Sequence, residues 1–150
     1  MGVTGMDIRP LKREDFDSVV EIDTRVFKQA RPDYYEMKFA KALDEKDRLV
    51  SSLVAVVYGK VVGFVMSELF VGEFGIPGTD AFLDTLGVHP DFQRNGIGKQ
   101  LMEEFIGHLK KAGVKKLNTL VSWNDWQLNN FLDDSGFEPS KMINLELNLG

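Results

Sequence analysis

The sequence predicts one α/β domain built on a mixed sheet, and three observations carry that prediction. Apolar runs of period two alternate along the chain with runs of helical period. A turn at residues 93–98, rich in glycine and polar residues, joins an apolar strand to an amphipathic helix. Near the end, Ile143, Leu145, Leu147 and Leu149 alternate with Asn144, Glu146 and Asn148, the signature of a strand with one apolar face.

The elements follow in order. Asp7 to Leu11 reads as a short strand. Glu14 to Phe27 reads as a helix with Phe16, Val19, Val20 and Val26 on its inner side, and Asp33 to Lys46 as a second helix. The period then changes: Leu49 to Val57 and Val61 to Leu69 are β-rich runs joined at Tyr58-Gly59-Lys60, a hairpin signal. Gly72 to Asp80, with Gly75, Pro77 and Gly78, reads as a loop before the strand Ala81 to Val88. After the glycine turn come a helix over Gly96 to Ala112, a strand near Leu117 to Val121, a helix from Asp125 to Ser135, and the last strand. Repeats, low-complexity tracts and linkers are absent from the sequence.

The glycine turn is the most informative segment. A helix start leaves its first N–H groups without intrahelical partners, and the macrodipole adds partial positive charge there, so a phosphate is the natural occupant. Gly96 and Gly98 clear side chains from the approach, and Arg94 and Lys99 add full charges beside it. The helix that follows is well specified: Ile97, Leu101, Phe105 and Leu109 recur at intervals of four, Met102 and Ile106 widen the stripe, and Ala112-Gly113 stops it. Two other phosphate motifs do not fit. No Gly-Lys-Ser/Thr ending is present, and the dinucleotide fingerprint requires a third glycine.

Composition bounds the rest. A chain of 150 residues with 43% hydrophobic content suits one domain with one core. No apolar run approaches membrane-spanning length and no signal peptide is evident, so a cytoplasmic location is expected. Met1 to Gly5 reads as a leader. With zero cysteines, disulfides, thiolate metal sites and cysteine-nucleophile chemistry are excluded. The net charge of −5 disfavours nucleic acid and mildly favours cationic substrates. His89 and His108 are far apart, so no metal site is suggested. His89, ahead of Pro90, reads as a solvated loop histidine.

Leu86-Gly87-Val88-His89-Pro90 followed by Gln93-Arg94-Asn95-Gly96-Ile97-Gly98 resembles the acetyl-coenzyme A motif of the GNAT-type N-acetyltransferase superfamily. Ile8-Arg9-Pro10-Leu11 with Asp15-Phe16 is similar to that family's opening strand and helix, and Asn124 through Ser135-Gly136-Phe137 to its last helix and Gly-Phe turn. The resemblance implies a mixed, mostly antiparallel sheet flanked by helices, with a splayed strand pair at the cofactor site. It implies acetyl-coenzyme A as co-substrate and an amine-bearing small molecule, peptide or protein as acceptor, with a homodimer compatible. By the same resemblance Leu86, Gly87 and Val88 meet the pantetheine arm, and Gln93, Arg94, Asn95, Gly96, Ile97, Gly98 and Lys99 hold the pyrophosphate. Asn124 matches an asparagine that hydrogen-bonds the pantetheine, while an N-cap role for it is equally open. The Val88 N–H is the expected oxyanion donor.

Proton handling is where the chain departs from the family. An alkylamine with a pKa of about 10 must lose a proton before attack, and the departing thiolate must gain one. The position that often holds a tyrosine acid is Leu132, so either the thiolate leaves unaided or a water or another hydroxyl protonates it. Asp84 is the preferred base and Glu68 the alternative; Glu68, Glu73 and Asp80 are also expected to attract a protonated amine. Tyr34 and Tyr35 could line an acceptor pocket, with at least one expected in the core. A non-catalytic acyl-coenzyme A sensor remains the second function class.

Overall fold

The computed structural model describes residues 5–43, 52–71 and 78–150. It divides into two units, Met1–Leu120 and Val121–Gly150. Parts of the leader, of the second predicted helix (residues 44–46), of the following strand (49–51) and of the glycine-rich loop (72–77, including Glu73) lie outside the described residues.

The first unit is a five-stranded sheet in the order β1 (Met6–Pro10), β2 (Leu53–Val57), β3 (Lys60–Val71), β4 (Thr79–Val88), β5 (Lys116–Thr119). The first three pairings are antiparallel and β4 pairs β5 in parallel. The β2–β3 hairpin turns where sequence placed it, with Tyr58 at φ 49° and Gly59 at φ 78°. Two consecutive left-handed residues make the turn whose twist suits paired strands.

Three helices cover this sheet: α1 (Phe16–Phe27), entered through a 3-10 turn at Arg13–Asp15; α2 (Pro32–Ala42), with proline at its first position; and α3 (Ile97–Lys111). A Cβ placed on Gly63 would meet Leu101 and Ile97 of α3, and one on Gly87, opposite Phe64, would meet Phe64 and Ile22 of α1. Neighbouring residues of a strand face opposite ways, so α3 covers one face and α1 with α2 the other. Under α1 and α2 lies a core of Val19, Ile22, Tyr35, Phe39, Phe64 and Met66, against which Phe16, Val20 and Val26 pack. Full burial of each large apolar side chain contributes about 1.5–3 kcal/mol. On α3, Ile97, Leu101, Met102, Phe105 and Leu109 form the buried stripe that the sequence predicts, and Gly113 at φ 82° ends the helix.

The second unit contains α4 (Trp126–Asp134), capped by Asp125, whose Oδ1 accepts from the Leu128 N–H at 3.1 Å. Asn124 is therefore not the cap. The predicted last strand is not formed: residues 138–150 carry no strand, and Ile143, Leu145, Leu147 and Leu149 are 79–90% exposed. Period-two alternation states which face a strand would bury, but the strand exists only when its main-chain groups find a partner.

Candidate active site

The sheet opens at the lower half of β4. Its parallel pairing with β5 runs from Asp80 opposite Lys116 to Leu83 opposite Thr119 and stops there. The Thr119 hydroxyl donates to the Leu83 carbonyl at 2.9 Å, closing the paired stretch. From Asp84 to Val88 that edge has no ladder partner among the described residues.

Main-chain direction along the open edge follows from one bond. The His89 N–H donates to the Val62 carbonyl at 2.8 Å, so His89 and, by alternation, Gly87 address β3. Leu86 and Val88 then turn their N–H and C=O groups to the open side. The Val88 carbonyl is already engaged there, accepting from Gln93 Nε2 at 3.0 Å, which leaves the N–H groups facing outward. Gly87 serves packing instead: a Cβ on it would lie 2.8 Å from Phe64 Cε1, so its small size lets β4 approach that ring, and its polar groups are not offered to a ligand.

Just beyond lies the turn that leads into α3. Arg94 at φ 68° and Gly96 at φ 76° are both left-handed, and Ile97 opens α3. Turns of this kind gather successive N–H groups into one concavity. The N–H groups of Arg94 to Lys99 have no intramolecular acceptor among the described residues, whereas the Gln93 N–H makes a long bond to the Pro90 carbonyl at 3.4 Å. Gln93 therefore braces the turn through both its side chain and its backbone, and its side chain is not free for a ligand. Asn95 Nδ2 donates to the Phe92 carbonyl at 3.3 Å. Arg94 and Lys99 are exposed and in no ion pair among the described residues. The Ile97 side chain is core, leaving only its main chain to the turn.

His89 corrects the sequence reading. It is buried, not solvated: its Nδ1 accepts from the Asp91 N–H at 3.1 Å, which places the ring proton of the neutral form on Nε2, and its ring packs edge-on against Phe92. The pre-proline histidine is thus a brace for the turn.

At the other end of the open edge stands Asp84. Thr85 pairs with Met66 and Leu83 with Ser67, so Asp84 is an extra residue in β4, a β-bulge. Strict alternation would send Asp84 to the face opposite Thr85. The bulge instead delivers its carboxylate to α2, where Lys38 Nζ donates to Asp84 Oδ2 at 2.9 Å and to Glu68 Oε1 at 3.1 Å. Lys41 Nζ adds a contact of 3.3 Å to Glu68. The two candidate bases are thus brought together, with Lys38 between them, a residue that the sequence reading did not select. Burial raises the Asp84 pKa above its ordinary value, and Lys38 offsets this only in part. Burial pushes Glu68 upward too, but Lys38 and Lys41 prevail and hold it below the usual range.

The tyrosines divide. Tyr35 is core, with its hydroxyl donating to buried Asp23 Oδ1 at 2.8 Å, and burial foremost drives its pKa far up. Tyr34 is half-buried, lies within 5.7 Å of Lys38 Nζ, and is kept protonated chiefly by burial. Asp80 is buried at the far end of β4, away from the opening. Leu132 is buried in α4, and Asn124, Trp123 and Trp126 are exposed in the second unit. A groove between β1 and α3, lined by Asp7, Gln100, Glu103 and His108, lies at the edge strand opposite β5.

The first unit is thus a mixed sheet that opens beside the turn at the start of α3, with two carboxylates near the opening. The Acetyltransferase (GNAT) family profile matches residues 16–137. Acetyltransferase SG1711 of Sodalis glossinidius (strain morsitans) is 31% identical over 116 residues, 77% of this chain and 75% of that protein. Among solved structures, the aminoglycoside N-acetyltransferase AAC(6')-Iy in complex with CoA superposes with TM-score 0.77 at 19% identity, covering 97% of this chain and 95% of its own. The ribosomal-protein-S18-alanine N-acetyltransferase of Escherichia coli gives TM-score 0.74 at 21% identity, covering 90% and 79%. The chain belongs to the GNAT acetyltransferase family and is an N-acetyltransferase.

Proposed function

We propose that this enzyme transfers the acetyl group of acetyl-coenzyme A to a primary amine by direct attack in a ternary complex. The observation that carries the reading is the adjacency, in one unit, of the outward N–H groups of Leu86 and Val88 and the unpartnered N–H groups of Arg94 to Lys99. An extended amide-bearing arm pairs with the former as an added strand, and its pyrophosphate sits on the latter, with Arg94 and Lys99 supplying charge. The solved relative bound to CoA supports this choice of co-substrate.

In this reading the amine nitrogen attacks the thioester carbon, the Val88 N–H stabilises the oxyanion, and the carbon–sulfur bond breaks with the electron pair on sulfur. Asp84 removes the amine proton, directly or through water. The thiolate, with an ordinary thiol pKa of about 8.5, leaves without a protein acid or takes its proton from water or the Tyr34 hydroxyl.

The acceptor is a small amine, an amino acid derivative or a protein amine; the relatives are named for aminoglycosides and for an alanine of ribosomal protein S18. We read the chain as one acetyltransferase domain over residues 1–150 acting in the cytoplasm; no helix of the described residues is long and apolar enough to cross a membrane. The exposed alternation of residues 143–149 suits pairing with a second copy, and sedimentation would report such a dimer.

Calorimetric titration with acetyl-coenzyme A tests the reading, with Gly98→Asp as the control. Gly98 lies in the first turn of α3, where an acidic side chain favours the helix yet repels a pyrophosphate. Binding by the parent and none by the folded variant is expected. Thiol release with an amine panel then tests the primary amine as acceptor, and no release with any amine would overturn that reading.

A further inference from the structure

We infer that Lys38 sets the charge preference of the acceptor, by neutralising the Glu68–Asp84 carboxylate pair so that amines lacking a second cationic centre are favoured. The inference rests on the transferase reading and deepens it. Glu68 was expected to draw in cations and Asp84 to act as the base, but neither carboxylate is unpaired. Lys38, 13% exposed, places one ammonium within hydrogen-bond distance of both, and Lys41 adds a second on Glu68. Two carboxylates against two ammoniums leave no formal charge.

The partners are held by opposite elements, which makes the neutralisation a built feature. Glu68 and Asp84 come from neighbouring strands, the latter only because of the β4 bulge, and Lys38 reaches them from α2. All three side chains are at most 21% exposed, so solvent screens them poorly. An acceptor carrying a second ammonium near its reacting amine meets two lysines and no spare carboxylate. An acceptor whose neighbouring group is neutral or anionic meets no such penalty, and an anionic group gains from Lys41. Lys38 takes no part in bond making; it is a specificity residue.

The test compares kcat/KM, read as thiol release, for butylamine, 4-aminobutanoate and 1,4-diaminobutane, which share a chain length and differ in charge. The parent should disfavour the diamine by about tenfold or more, and Lys38→Met should shift the ratio toward the diamine by about tenfold or more. Lys38→Arg should keep the parental ratio. Lys38→Met with Glu68→Gln removes one charge of each sign and should restore it, which a merely structural role for Lys38 would not do. Turnover with a ratio unmoved by Lys38→Met, or a parent that prefers the diamine, overturns the role of Lys38 alone. A parent that binds acetyl-coenzyme A but releases no thiol with any amine overturns the primary-amine reading and this inference together.

Discussion

Lys38 Nζ and Asp84 Oδ2, 46 positions apart in the chain, meet at 2.9 Å because an extra residue in β4 turns the Asp84 side chain toward α2. The pairing places the preferred base under the control of a neighbouring ammonium, and several outcomes can be measured from it and from the braces around it.

The pH dependence discriminates the two carboxylates. A base must be deprotonated, so activity falls as pH drops through its pKa. If Asp84 serves, the acid limb of kcat/KM lies above the ordinary carboxylate value of about 4, because burial raises its pKa. Lys38→Met removes the interaction that lowers it, so the limb should move further up. A limb below the ordinary range, where Glu68 is held, would assign the base to Glu68.

Gly87→Ala should destabilise the protein by about 1–3 kcal/mol in chemical denaturation, the usual cost of overpacking. The new Cβ would stand 2.8 Å from Phe64 Cε1, an atom of a fully buried ring that cannot swing away. Gly63→Ala should cost less, since its nearest neighbours, at 3.0 and 3.2 Å, are the side-chain ends of Leu101 and Ile97.

Arg94 holds φ 68°, a conformation costing a non-glycine residue about 1–2 kcal/mol. Arg94→Gly and Arg94→Ala lose the same charge, so both should weaken acetyl-coenzyme A binding alike by calorimetry. The glycine variant should be the more stable to denaturant, by about 1 kcal/mol.

Asp23, 1% exposed, accepts from Arg31 at 3.0 and 2.6 Å and from the Tyr35 hydroxyl at 2.8 Å. Asp23→Ala strands the buried Tyr35 hydroxyl and frees the partly exposed Arg31, a loss of about 1–3 kcal/mol. Because Arg31 and Tyr35 begin and run through α2, the variant should also loosen the seat of Lys38, raising amide exchange in α2 more than in α3.

Asp15 supplies an acid-sensitive joint. It accepts two bonds from Arg9 at 2.9 Å and one from the Lys12 N–H at 2.7 Å. Burial works to raise its pKa, but these donors prevail and hold it below the ordinary value. A folded pKa below the unfolded one means stability is present above about pH 4 and lost as pH falls through the folded value. Asp15→Asn should therefore lower Tm at neutral pH and flatten its decline in acid.

The sequence determined what local chemistry can encode. The apolar period of α3, the Tyr58-Gly59 turn and the glycines at the α3 start each act within a few residues, so their places in the chain sufficed. Other features required the assembled sheet. The opening of β4 depends on where its pairing with β5 stops, and the bulge at Asp84 on how β3 and β4 register; neither is a property of one segment. Lys38 was not singled out because its partners lie in two strands, and His89 looked solvated because its burial comes from the turn folding around it. The alternation at Ile143 to Leu149 shows the same limit from the other side: a pattern fixes which face a strand would bury, but hydrogen bonds to a partner decide whether it exists.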